Sequence, residues 1–419
     1  MKRVGLKDLQ PGQTLARDLC DIRGRLIVKA GSVLTEKHIR VIKTWGIAAA
    51  YVSENHETPS KNDCLPEEIK DRIQTICSHR FRDWNRDNPL HLKLMEGFKH
   101  RLFRHYRLDG VQALEAFQPK SPQEESLKPI PGVSSSDPTP EPFKLDLESV
   151  KLPSLPSIVV RLNEAVNDPN STTVQISEIV NKDLGLTARL LRLVNSAMYS
   201  FPSRIQSIPR AITIIGPRQI VSLAIGTSVI SLFHGISPAI MDVTEFWKHS
   251  IATGIIARSL AGFKNSFETE NVFIAGLLHD IGKLILFLEY PETSQFILHR
   301  AKEERVKLAQ LEQSILNTTH GEIGAKLVNK WNLPSYLASC CANHHEPKSD
   351  GVVDLALMVN MADDIANALG YGQSGEPVIP LSSERTWSQA GLTLEIVDNL
   401  LEQVELCFEN TVAGFLADP

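Results

Sequence analysis

Between Pro119 and Pro142 the chain carries seven prolines and five serines in 24 residues. Proline removes a backbone donor and fixes φ, and serine-rich polar sequence buries too little apolar surface to order itself. The stretch therefore reads as an extended linker, taken as residues 119–146. It splits the 419 residues into a shorter N-terminal part and a long C-terminal part, 147–419.

Beyond the linker the punctuation is helical. Leu155, Ile158, Val159, Leu162 and Val166 recur at three- and four-residue intervals, the period of an amphipathic helix. Thr172 with Gln175, and Thr319 with Glu322, have capping-box spacing. Gly185, Pro202, Pro217, Pro334 and Pro347 are read as helix stops. Gln219 to Phe233 is uncharged and mostly apolar, too short to cross a bilayer comfortably and suited to a buried core helix. No convincing alternating strand pattern follows residue 152. The expected fold class is mainly α, with an all-α C-terminal bundle.

The N-terminal part has two textures. Residues 1–56 hold short β-like runs such as Arg25-Leu26-Ile27-Val28 around Gly12, Gly24 and Gly31. Thr35 can cap a helix running toward Trp45, which Gly46 is placed to end. This predicts a small α+β module. Residues 57–118 are helical in pattern and basic, with His79, His91, His100 and His105. They read either as a solvated helical pair or as a surface for an acidic ligand or partner. Cys77 and these histidines match no metal- or haem-ligand spacing.

Composition excludes several classes. Forty-four basic and 49 acidic residues give a net charge of -5, which argues against a protein that wraps duplex nucleic acid. Six scattered cysteines without a CxxC suit reduced thiols rather than a disulfide framework. The start, Met1-Lys2-Arg3-Val4, lacks the apolar region of a signal peptide. These features point to a cytoplasmic protein without a membrane span. HExxH, P-loop and GxSxG motifs are absent.

Chemistry concentrates on a few polar residues in apolar surroundings. His279-Asp280 interrupts the run Val272 to Leu286. A buried carboxylate there is costly unless a cation or hydrogen-bond donors compensate. An imidazole and a carboxylate are normal ligands of Zn, Mn or Fe, although the pair can also serve as a hydrogen-bonded core feature. His249 lies in a second helix, His320 at a helix start, His344-His345 before Glu346-Pro347, and Asp363 along an apolar stripe. These sites, on separate helices of one bundle, can converge on a point.

The order His249, His279-Asp280, Asp363 resembles the H…HD…D pattern of the HD-domain metal-dependent phosphohydrolases. The stretch from about Leu152 to Pro347 is similar, more specifically, to the HDOD domain of bacterial signalling proteins. The matching pieces are Leu152-Pro153-Ser154-Leu155-Pro156, Leu186-Thr187-Ala188-Arg189-Leu190-Leu191, Asn195-Ser196-Ala197-Met198-Tyr199, Trp247-Lys248-His249-Ser250, His279-Asp280-Ile281-Gly282-Lys283, His320-Gly321-Glu322-Ile323-Gly324-Ala325, Trp331-Asn332-Leu333-Pro334 and His344-His345. Leu9-Gln10-Pro11-Gly12-Gln13-Thr14-Leu15 and Gly24-Arg25-Leu26 resemble the small module ahead of HD-GYP cyclic-di-GMP phosphodiesterases.

The resemblance implies one divalent ion (Fe, Mn, Zn or Mg) on His249, His279, Asp280 and Asp363, and a second near His320, His344 and His345. Glu346 is followed by Pro347-Lys348-Ser349-Asp350-Gly351, so the Gly-Tyr-Pro signature of the HD-GYP enzymes is missing. Many HDOD domains are non-catalytic regulators. Two functions follow as expectations. One is a signal-transduction protein that docks signalling partners or a nucleotide-type ligand, with self-association compatible. The other is a phosphohydrolase or phosphodiesterase acting on a nucleotide or cyclic dinucleotide, with Asp280 and Lys283 as catalytic groups and Lys283 neutralising phosphate charge.

Overall fold

The computed structural model describes residues 2–416 apart from 7, 18, 21–25, 37, 40, 41, 43–48, 53–65, 119–144, 147, 200, 202, 234, 265–268, 348–354, 380–386 and 388–391. The proline-rich run, the helix end at Trp45 and Gly46, and the Gly24-Arg25 turn lie outside the described residues.

The first 52 residues contribute two antiparallel ladders. β1 (Lys2–Gly5) pairs with β4 (Ala49–Val52), Val4 opposite Ala50, and β2 (Leu19–Cys20) pairs with β3 (Leu26–Val28). Their apolar side chains, with Leu15, Leu34 and Ile42, make a small core of their own.

The two basic helices are α1 (Glu67–Arg80) and α2 (Pro89–Asp109). Asn88 caps α2 by accepting from Leu90 N at 2.9 Å, and Pro89 stands at the first turn, where no N–H is needed. Ile69, Ile73 and Ile76 of α1 and Leu94, Phe98 and Leu102 of α2 are buried in the same core as the C-terminal bundle. A short 3₁₀ turn, Val111–Phe117, follows and buries Leu114.

The bundle proper runs through α3 (Ser157–Asn167), α4 (Thr173–Asn181), α5 (Leu184–Val194), α6 (Ile208–Ile215) and α7 (Pro217–Ile230). It continues with α8 (Val243–Lys264), α9 (Thr269–Leu278), α10 (Ile281–Glu289), α11 (Pro291–Glu304) and α12 (Leu308–Leu316). It closes with α13 (His320–Lys330), α14 (Ser335–Asn343), α15 (Leu355–Leu369) and α16 (Leu394–Leu416). The Thr172–Gln175 capping box forms at α4. Thr319 caps α13, accepting from Glu322 N at 3.3 Å.

Gly185 does not end a helix. Asp183 accepts from Leu186 N at 2.9 Å and starts α5 one residue earlier, so the glycine sits in a first turn, where its entropy cost is smallest. The uncharged stretch beginning at Gln219 forms most of α7, buried from Ile220 to Val229. Among the described helices, the run Thr269–Glu289 is long and apolar enough to cross a membrane; 89% of its most apolar window is buried inside the bundle.

The basic face of α2 meets acids of the last helix. Lys93 Nζ lies 2.6 Å from Asp398 Oδ1, and Arg101 and Arg104 reach Glu405 at 2.8 and 3.0 Å. α8 and α9 cross closely: a Cβ on Gly276 would stand 2.7 Å from Gly254 Cα. Small residues here let His249 and His279 approach across the crossing.

Candidate metal centre

Six helices and their junctions bring the polar residues together. α8 supplies His249, the α9–α10 break supplies His279 and Asp280, α13 opens with His320, α14 ends before His344 and His345, and α15 supplies Asp363. All but His345 are at most 4% exposed. The break at His279-Asp280 exists because the ring and carboxylate turn inward here: His279 Nδ1 donates to Gly276 O at 2.7 Å.

The ligand-capable atoms fall into two groups, each mutually within 4.8 Å: His249, His279 and Asp363; and Asp280, His320, His344 and His345. His249 Nε2 is 2.9 Å and His279 Nε2 3.6 Å from Asp363 Oδ1. Asp280 stands between the groups. Its Oδ2 lies 3.3 Å from His279 Nε2, and its Oδ1 lies 3.2 Å from His320 Nε2 and 3.5 Å from His344 Nε2.

Proton bookkeeping tests whether a metal fits. In His279 and His344, Nδ1 faces a backbone carbonyl, Gly276 O and Cys341 O at 2.8 Å, so Nδ1 carries the proton in the neutral ring and Nε2 keeps a lone pair. Both Nε2 atoms, and Asp280 Oδ1, are buried without a hydrogen-bond partner. Lone pairs facing one another in a buried site repel unless a proton or cation stands between them. The N···O separations of 2.9–3.6 Å resemble the roughly 3.0–3.4 Å edges of a coordination shell with bonds of about 2.1 Å. The donor set of imidazoles and carboxylates therefore fits a divalent ion in either group.

Supporting contacts fix the ligands as outer-shell partners do at metal sites. Glu312, on α12, accepts both the Nδ1 proton of His320 at 2.6 Å and the His320 backbone N–H at 2.8 Å. Asn367 Nδ2 donates to Asp363 Oδ1 at 2.8 Å, and Ser374 Oγ donates to Asn367 Oδ1 at 3.0 Å. Glu312, Asn367 and Ser374 are absent from the motif reading. A signal for Glu312 exists: it occupies the apolar stripe Leu308, Leu311, Ile315, where a charge needs a partner.

Charge in the protein alone is balanced by protons. Burial opposes the His279 imidazolium, but Asp280 and Asp363 outweigh it and hold its pKa at about 10. Burial likewise opposes His320, and Glu312 and Asp280 hold it up at about 9. Burial lowers His344, and it lowers His345 strongly, with the neighbouring His344 and His320 adding to the effect. Burial also works against ionised Asp280 and Asp363, yet His279 and Lys283, and His249 and His279 respectively, keep both well below the carboxylate range.

Lys283 is 1% exposed. Its ammonium sits 2.7 Å from Asp280 Oδ2 and donates to Ser374 O at 3.2 Å. It neutralises the central carboxylate from inside the bundle.

Residues 152–347 match the profile of the HDOD domain family. An uncharacterized protein of Treponema pallidum (strain Nichols) is 26% identical over 195 residues, 46% of this chain; the chain spans 37% of that protein's length. Among solved structures, an HDOD domain protein of unknown function from Geobacter sulfurreducens is similar at a TM-score of 0.54 and 27% identity, covering 64% of this chain and 94% of that one. A protein of Shewanella amazonensis SB2B named as a candidate phosphohydrolase has a TM-score of 0.51 and 26% identity, covering 63% and 94%. A protein of Marinobacter aquaeolei VT8 named as a candidate signal transduction protein shares the fold at a TM-score of 0.50 and 20% identity, covering 65% and 61%. The His279-Asp280 pair and its surroundings thus lie within the stretch, residues 152–347, that matches the HDOD domain family.

Proposed function

We propose that the protein is a signal-transduction regulator whose HDOD domain is organised around a divalent-metal centre. The observation that carries this reading is enclosure. Six of the seven ligand-capable residues are at most 4% exposed, and Lys283 already occupies one oxygen of Asp280. A centre so enclosed ties six helices together and shields its ligand atoms from solvent. The name of the Marinobacter protein points the same way, by fold alone.

The test has two parts. Purified full-length chain is expected to carry about one or two divalent ions by elemental analysis, the number of ligand groups setting the limit. Deleting residues 152–419 is expected to abolish signalling output in cells. Retained output in that deletion would sink the reading.

A second reading, metal-dependent phosphoester hydrolysis, is favoured by the completeness of the ligand set and by the name of the Shewanella protein. A bound divalent ion would polarise a phosphoryl oxygen and acidify a bound water. In that case His345, the most exposed member of its group, would complete the ligand set beside His320, 2.8 Å away. Release of p-nitrophenol from bis(p-nitrophenyl) phosphate with added Mn, lost in Asp280→Asn, would establish this second reading; no release in the metal-loaded chain would remove it.

A further inference from the structure

A cavity of about 840 Å³ opens between the basic helices, the 3₁₀ turn and the loop 370–379, a size suited to a cofactor-like ligand. Its walls include Arg80, Arg82 and Trp84 beside α1, Phe117 of the 3₁₀ turn, Lys248 of α8, and Arg305 after α11. None of the seven candidate metal ligands lines it. Asn367 belongs to both places, lining the cavity while bonding Asp363.

Arg80 is the informative residue. Its guanidinium donates to the carbonyls of Asn367 and Ala368 and lies 4.9 Å over the Phe98 ring. Neutral partners satisfy its hydrogen bonds without cancelling its charge. Burial accordingly pulls its pKa down to about 10, with Arg101 repelling it further. Arg80 is half-buried at the cavity wall, and its carbonyl partners leave its charge available to an anion. Of the carboxylates on the walls, Glu245 is engaged with Lys248 at 2.6 Å, Asp83 with Arg305, and Glu376 with the backbone of Leu308 at 3.3 Å; Asp109 and Glu409 also line the cavity. Arg82 reaches Asp83 only at 3.9 Å, and its side chain is 47% exposed.

An anion would complete Arg80 and Arg82, and the planar fork of arginine matches phosphate oxygens. The half-buried rings of Trp84, packed on Phe81 and His91, and of Phe117, packed on Phe98 and His105, add aromatic surface to the same walls. We propose that this cavity binds a nucleoside phosphate, its phosphates on Arg80 and Arg82 and its base against the aromatic wall. The inference deepens the regulatory reading by giving it an input site, but the binding itself does not depend on the metal centre.

Calorimetric titration of the full-length chain, stripped of metal with EDTA, against AMP, GMP, ATP, GTP, adenosine and pyrophosphate tests it. At least one nucleotide is expected to bind, at least tenfold tighter than adenosine and pyrophosphate. Arg82→Glu, at an exposed position, is expected to weaken that nucleotide tenfold or more. Ala113→Trp, which fills the cavity from the 3₁₀ turn, is expected to do the same. Arg80→Gln should act in the same direction, with circular dichroism reporting whether it folds. Binding unchanged in both Arg82→Glu and Ala113→Trp, or no binding by any nucleotide, would overturn the proposal. Pyrophosphate binding as tightly as the best nucleotide would also overturn it, because the aromatic wall would then contribute nothing. The metal-stripped chain separates this outcome from failure of the metal-centre reading, which rests on elemental analysis alone.

Discussion

His320 Nε2 and His345 Nε2 stand 2.8 Å apart. Two imidazole nitrogens at that distance need one proton or one cation between their lone pairs. His320 commits its Nδ1 proton to Glu312, so a neutral His320 has no proton left for the gap. Burial keeps His345 from carrying a second proton. The protein alone meets the need by protonating His320, and a divalent ion would meet it by replacing that proton.

Metal uptake should therefore release protons. With His279 held at about 10 and His320 at about 9, both carry a proton at pH 7 in the metal-free chain, and ligation requires both to leave. About one to two protons per chain are expected on Mn binding, with affinity rising as pH rises from 6 to 9. Calorimetry in Hepes and in Tris, whose ionisation enthalpies differ, reads the number directly. Identical heats in the two buffers would contradict the exchange.

Glu312→Gln should loosen the centre without unfolding it. The carboxylate is 3% exposed and fixes both the tautomer and the orientation of His320. Loss of such an outer partner typically costs about 10–100-fold in metal affinity. Competition with a chromophoric chelator measures the change, and circular dichroism should show the helical content retained. Unchanged affinity would mean that His320 is not a ligand.

The residues that announced themselves in the sequence were polar groups stranded on apolar helices. Asp280 and Asp363 are legible because burying a carboxylate demands compensation, and the motif order adds His249 and His279. Ser374 was not legible: it reaches Lys283 through a backbone oxygen, which no side-chain pattern reports. The basic helices were read by charge, yet Ile69, Ile73 and Ile76 repeat at helical spacing and bury them in the bundle core. Their acidic partners escaped because Glu405 lies 304 positions from Arg101, and pairing over that distance is decided by the tertiary fold.

That pairing sets a pH dependence. Glu405 accepts from Arg101 at 2.8 Å, from Arg104 at 3.0 Å and from the Tyr371 hydroxyl at 2.5 Å. Burial opposes its charge, but Arg101, Tyr371 and Arg104 hold its pKa below the ordinary glutamate value. A depressed folded-state pKa stabilises the protein above the unfolded value, and that contribution is lost as pH falls through the folded one. Glu405→Gln should cost about 1.5–3 kcal/mol at pH 7, the range for hydrogen bonds to charged groups. Urea unfolding of both chains should show the gap shrinking as pH drops below the ordinary glutamate range. An equal gap at pH 7 and in that acid range would exclude the ion pair as its source.

Gly282 carries the sharpest steric demand at the centre. A Cβ there would lie 1.9 Å from His320 O and 2.7 Å from Gly324 N, both backbone atoms that cannot swing aside. α10 and α13 therefore approach main chain to main chain at Gly282 and Gly324, and this contact bears on how far Asp280, two residues earlier, stands from His320. Gly282→Ala must push the helices apart. Overpacking of this kind costs about 1–3 kcal/mol, occasionally more, against a helix-propensity gain of up to about 1 kcal/mol. The larger consequence is geometric: a shift of a few tenths of an ångström or more at the Asp280–His320 separation of 3.2 Å disturbs the group formed by Asp280, His320, His344 and His345. The group of His249, His279 and Asp363 draws two of its three members from α8 and α15, which do not share that contact. Gly282→Ala should thus lower the melting temperature and weaken one metal equivalent more than the other in a Mn titration. Equal weakening of both, or a wild-type melting temperature, would show that this helix contact does not set the geometry of the site.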